Sequence, residues 1–166
     1  MTISKDDLLA NKALALELIG QHCGSSAIGE LYEKELPQFK PILETTWKAL
    51  ADDYCVRLST FWHFRLTAHG WIEALEAIGK LCDEQMKKDL GRLSKALKDH
   101  LERARGPALV GTDEIVSETG LPHYWVVNAV HSHLIEHCLK RKDADWAPDD
   151  AMESVIEVPI DFGHLL

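Results

Sequence analysis

Apolar residues recur at three- and four-residue steps through most of the chain, the period of a helix with one buried face. Residues 4–21 read as a first helix, with Leu8, Leu9, Ala13, Leu16 and Ile19 inward. Ser4 and Asp7 resemble a capping box at its start, and Gly20 and Gly24 end it. A short helix over 26–35 stops before Pro37, because the residue preceding proline avoids helical geometry. Pro41 opens a third helix that turns Ile42, Leu43, Trp47 and Leu50 inward and ends near Asp53. The period then falls to two. Residues 54–58 and 61–66 are rich in aromatic and branched side chains and read as strands, with Ser59 and Thr60 as a tight connection. Residues 71–105 return to a helical repeat carried by Leu81, Leu90, Leu93, Leu97 and Leu101, with Gly79 or Gly91 as its breaking point. The tail alternates again, placing Ile156, Val158, Ile160 and Phe162 on one face of a strand. Pro159 cannot donate to a ladder, so this strand belongs at an edge or bends there, and the 61–66 hairpin is its expected partner.

Residues 112–139 carry the clearest pattern. Thr112 is placed to cap a helix whose first turn holds Asp113 and Glu114, where the helix dipole favours negative charge. Gly120 suits the left-handed turn that ends a helix, and Pro122 the start of the next. Val116, Leu121, Val126 and Ala129 then bring the two helices onto a shared core. This spacing resembles a helix-turn-helix. Three helices followed by a hairpin is the order of a winged helix, and the run Arg65, Leu66, Thr67, Ala68, His69, Gly70, Trp71 resembles the strand-to-helix exit after the wing in some bacterial winged-helix proteins. The resemblance implies a mainly α fold with small β elements, a helical bundle of winged-helix-like lobes. The first lobe spans 1–78; the second, 79–166, holds the long helix, the helix-turn-helix and the last strand, and the two can form one compact domain.

A helix that reads DNA brings cations for phosphates and base edges. From Pro107 to Leu139 there is no Lys or Arg, while Asp113, Glu114, Glu118 and Glu136 are acidic. Val126, Val127, Val130 and Leu134 form one apolar stripe of the second helix, Ile135 and Leu139 lie on another side, and only Asn128, Ser132 and Glu136 make a polar strip. Such a helix is buried or lies in an interface. The expected partner surface is Trp125, Asn128, His131, Ser132, Ile135 and Leu139, facing a protein partner or a second copy of the chain. The alternative is a DNA-binding regulator. Seven cations between 84 and 105 face four acids there, and Lys87, Lys88, Arg92 and Lys95, with Lys140, Arg141 and Lys142, would grip phosphates while Tyr124 and Asn128 approach bases. A third reading is a metal-dependent hydrolase. His133, Glu136 and His137 match the H-x-x-E-H pattern of inverted zinc peptidases, which would need Glu153 or Glu157 as the remaining ligand in a short tail.

Bulk properties change this picture little. A net charge of −9 disfavours nucleic acid and anionic membranes. No apolar run suits a membrane span, and the polar N-terminus does not read as a secretory signal. Cys23, Cys55, Cys82 and Cys138 are scattered without C-x-x-C pairing, so reduced thiols and a cytoplasmic setting are expected. Trp47, Phe61, Trp62, Phe64 and Trp71 lie close in sequence, as a core or as a stacking surface. Gly20, Gly24 and Gly29 fit no phosphate loop, and no G-x-S-x-G elbow appears. The expectation is a non-enzymatic module without a cofactor.

Overall fold

The computed structural model describes residues 3–25, 34, 43–58, 64–139, 154–160 and 162. Apart from Lys34, the expected helix over 26–35 lies outside the described residues, as do the roles of Pro41 and Ile42, the Ser59-Thr60 turn, Phe61 and Trp62, and the basic turn 140–142. The described chain is mainly helical, with two small antiparallel sheets. It divides into two compact units, Met1–Lys80 and Leu81–Leu166.

In the first unit, α1 (Lys5–Gln21) starts as its cap chemistry requires. The Asp7 amide donates to Ser4 Oγ at 3.1 Å, and the Ser4 hydroxyl donates to Asp7 Oδ2 at 2.6 Å. The buried face, however, runs through Asn11, Ala15, Leu18, Ile19 and Gly20, while Leu9 is 53% exposed. Of the five apolar residues expected inside, only Ile19 is fully covered. Close approach decides the face here, not side-chain size. Helix α1 packs on α3 (Ala68–Ala77), and a Cβ at Gly20 would lie 2.7 Å from the Ala74 carbonyl oxygen.

Helix α2 (Leu43–Asp52) buries Trp47 and Leu50 as its spacing demands. Tyr54 then takes a positive φ of 59°, and the Cys55 amide donates back to Leu50 at 2.9 Å. These two residues are therefore spent on the turn, and the first strand begins two residues later than expected: among the described residues β1 (Val56–Leu58) pairs with β2 (Phe64–Leu66) in the register Val56↔Leu66, Arg57↔Arg65, Leu58↔Phe64. Trp47 and Phe64 pack with ring centroids 5.1 Å apart, and Trp71 is buried too, so these three aromatics form core and not a stacking surface. Thr67 caps α3 by accepting from the Gly70 amide at 2.9 Å. The helix ends at Gly79, with φ 67°.

The second unit opens with α4 (Glu84–Arg103), whose cap Asp83 accepts from the Met86 amide at 2.7 Å. Gly91 lies inside this helix without breaking it. Leu90, Leu93, Leu97 and Leu101 are buried, as their repeat predicts, and Leu81 is half-buried. Four residues not expected to be regular form β3 (Ala108–Gly111), and this is the true partner of β4 (Val155–Val158). The expected pairing of the tail with the 61–66 hairpin is corrected. Alternation explains the choice, since the inward pairs Ala108↔Val158 and Val110↔Ile156 are both buried. Pro159 falls just past the last ladder pair and so costs no strand hydrogen bond.

Thr112 is the first residue of α5 (Thr112–Thr119), not its cap. Gly111 precedes the helix without a side-chain bond, and Thr112 is held by its own amide donating to Ser154 at 3.0 Å. Gly120 takes the left-handed conformation, φ 71°, and donates to Val116 at 2.9 Å. The next helix is not continuous. It divides into α6 (His123–His131) and α7 (Leu134–Leu139) at Ser132 and His133, the latter with φ 54°. Cys138 on α7 is bonded to Cys82 in the turn before α4, which overturns the expectation of four free thiols. Cys23 and Cys55 remain thiols, both pushed up in pKa by burial.

Candidate functional site

Helices α4 and α5 pack together, and their contact gathers donors that are distant in sequence. His100 stands one turn before the end of α4, beside the buried Leu97 and Leu101. On α5, Glu114 and Glu118 are four apart and share a side, while Ile115 between them is fully buried. His100 Nε2 lies 2.9 and 3.0 Å from the two oxygens of Glu118 and 3.9 Å from Glu114 Oε1. The imidazole is largely covered, whereas both carboxylates reach solvent. Nearby, Arg92 bonds Asp89 at 2.6 Å and donates to the Thr119 carbonyl at 2.9 Å, placing a cation on the negative end of α5. None of this was expected beforehand. The visible signal was the pair of acids at helical spacing; His100 carries no local motif.

The residues expected to meet a partner are mostly covered by their own unit. Trp125, Asn128, Ser132 and Ile135 are buried, and His131 and Leu139 are half-buried. The Asn128 amide donates to the Tyr124 carbonyl at 2.8 Å, so it is satisfied inside the helix. The positions of α6 that reach solvent are His123, Tyr124, Val127 and His131, all half-buried and none of them Lys or Arg. His123 lies 3.5 Å from Asp113 and edge-on to Tyr124.

On α4, the proposed phosphate grips are engaged along their own helix: Lys87 with Glu84 at 3.7 Å, Arg92 with Asp89, and Lys95 with Asp99 at 2.8 Å. The Lys95–Asp99 hydrogen bond raises the lysine pKa and lowers that of the aspartate, although both groups are exposed and salt screens the pair. Lys88 is exposed, and Lys140, Arg141 and Lys142 lie outside the described residues. The H-x-x-E-H pattern does not sit on one helix. His133 occupies the break, 3.3 Å from Glu136, while exposed His137 belongs to α7. Glu157 projects from the outer face of β4, and Glu153 is outside the described residues.

Two surface features complete the picture. Leu109 on β3 is 74% exposed, Val155 on β4 39%, and Ile160 just beyond it 67%. The outer face of the β3–β4 ribbon is thus apolar apart from Glu157, which stands opposite Leu109. In the first unit, Arg57 and Arg65 stand directly opposite one another on the exposed face of the β1–β2 hairpin, with no ion-pair partner among the described residues. Like charges in that relation destabilise a ladder. No helix among the described residues is long and apolar enough to cross a membrane. Comparison with known proteins gives no match: no family model, no curated protein and no solved structure corresponds to this chain.

Proposed function

We propose that the protein is a non-enzymatic assembly module of two winged-helix-like units that associates with a second copy of itself. The order in the second unit supports the architecture: a helix, a strand, a helix-turn-helix and a returning strand that pairs with the first. The observation that carries the function is the outer face of the β3–β4 ribbon. Leu109, Val155 and Ile160 are large apolar side chains left in water on and just beyond this ribbon, Val155 opposite Gly111 and Leu109 opposite Glu157, and apolar side chains exposed together in this way suit an interaction surface. A contact around a two-fold axis covers the same patch on both copies at once. The docking surface therefore moves from the face of α6 and α7 to the ribbon. Sedimentation of the native chain should give a dimer, and Leu109→Lys a monomer with unchanged circular dichroism, since Leu109 packs little in its own unit. A native chain that is monomeric at every concentration, indistinguishable from Leu109→Lys, would defeat the proposal.

A second reading, binding of a nucleic acid backbone, is favoured by the Arg57↔Arg65 pair. Two opposed guanidinium groups gain most from an anion that sits between them. If this reading holds, affinity for a mixed-sequence duplex falls as salt rises, and Arg57→Gln with Arg65→Gln lowers the slope of log K against log salt by about 2. An unaltered slope in the double variant would remove the hairpin from any phosphate contact.

A further inference from the structure

We infer that His100, Glu114 and Glu118 form a binding site for one divalent transition-metal ion, zinc being the ion that suits them best. One donor atom from each lies within 4.8 Å of the other two, so small side-chain rotations bring all three to a common centre. Zinc binds imidazole nitrogen and carboxylate oxygen at about 2.0–2.2 Å in a tetrahedron. Three protein ligands and one water complete that geometry, and the exposed side of the two glutamates admits the water.

Hydrogen bonding alone leaves the arrangement incomplete. His100 Nε2 carries at most one proton, yet two carboxylates converge on that single atom. One proton makes a full bond to Glu118 and leaves Glu114 at 3.9 Å without one from this ring. A metal ion at the same place bonds both. Charge gives the same sense. Glu114 and Glu118 repel at four-residue spacing, and a protonated imidazole offsets only one of their two charges. A dication neutralises the pair.

The ligands are mounted on helices anchored by the buried neighbours Leu97, Leu101 and Ile115, so little backbone ordering remains when the ion enters. Bound metal ties α4 to α5, the first helix of the helix-turn-helix, and stabilises the second unit by an amount that grows with the logarithm of free metal above the dissociation constant. The inference is independent of the ribbon contact and of the broken H-x-x-E-H pattern.

The test is titration of the metal-free full-length chain with zinc against a chromophoric chelator, with thermal melts in parallel. One zinc per chain is expected, with a raised melting temperature. Glu118→Gln and Glu114→Gln, both at solvent-reaching positions, should each weaken binding by at least about tenfold and suppress the thermal shift. His100→Gln should do the same, and if that variant fails to fold the two glutamine variants still decide. His133→Gln with His137→Gln should bind zinc as the native chain does. The assignment is overturned by zinc affinity unchanged in the glutamate variants, or by its loss in the His133/His137 variant instead.

Discussion

Replacing Gly70 with alanine unfolds the first unit. An added Cβ would lie 1.8 Å from the Cys55 carbonyl oxygen and 2.6 Å from the carbon that bears it, and backbone cannot rotate aside as a side chain would. That carbonyl is also an anchor. It accepts the Thr67 amide and the Thr67 hydroxyl, each at 3.1 Å, and Thr67 in turn caps α3 through the Gly70 amide. Relief of the clash therefore disturbs the corner where the hairpin becomes a helix. Overpacking in a rigid core costs roughly 1–3 kcal/mol, and with the cap lost as well, for about 1 kcal/mol more, the expected loss is near 4 kcal/mol. Much of a small domain's stability is of that size. Denaturant unfolding followed by far-ultraviolet circular dichroism should show the transition of the first unit displaced to lower denaturant, or absent, in Gly70→Ala at 25 °C. A midpoint equal to the native one would mean that α3 does not lie against the Cys55 corner.

The second large effect belongs to the Cys82–Cys138 bridge. It closes a loop whose ends are 56 positions apart, and the chain-entropy relation for a loop of that length gives about 4 kcal/mol. Cys82→Ala with Cys138→Ala should lower the stability of the second unit by an amount of that order. Alanine is the better replacement because a serine hydroxyl at the buried Cys138 position would add an unsatisfied polar group. Thiol titration of the denatured, unreduced chain should find two reactive groups, Cys23 and Cys55, and four after reduction. Four before reduction would exclude the bridge. Persistent disulfides belong to oxidising surroundings, so the bridge removes the support that scattered cysteines lent to a cytoplasmic setting.

Local chemistry made much of the fold legible. Ser4 with Asp7, Gly120 in its left-handed turn, Gly79 at a helix end and the leucines of α4 each act through neighbours three or four positions away, which a linear pattern can show. What was misjudged depends on distant chain. Strand β3 is four residues long and becomes regular only because β4 supplies its ladder. The face of α1 follows the close approach at Gly20, not the largest side chains. The break at His133 has no glycine or proline to announce it. The candidate site was harder still, since His100 meets its carboxylates only once α5 has packed on α4, and Leu109 was not recognised as exposed because β3 was not recognised as a strand.

The bridge between Cys82 and Cys138 turns residues 82–138 into a covalent ring that contains α4, β3 and the whole helix-turn-helix. Strand β4 is outside that ring. It is held by the ladder to β3, by the Thr112 amide bonded to Ser154, and by burial of Ile156 and Val158. Opening of the second unit is therefore graded: β4 can peel away while the ring keeps its helices together. Backbone amides of β3 that point to β4 would then exchange with solvent before those in the middle of α4, and the ribbon face would come and go with the strand while the α4–α5 contact persists.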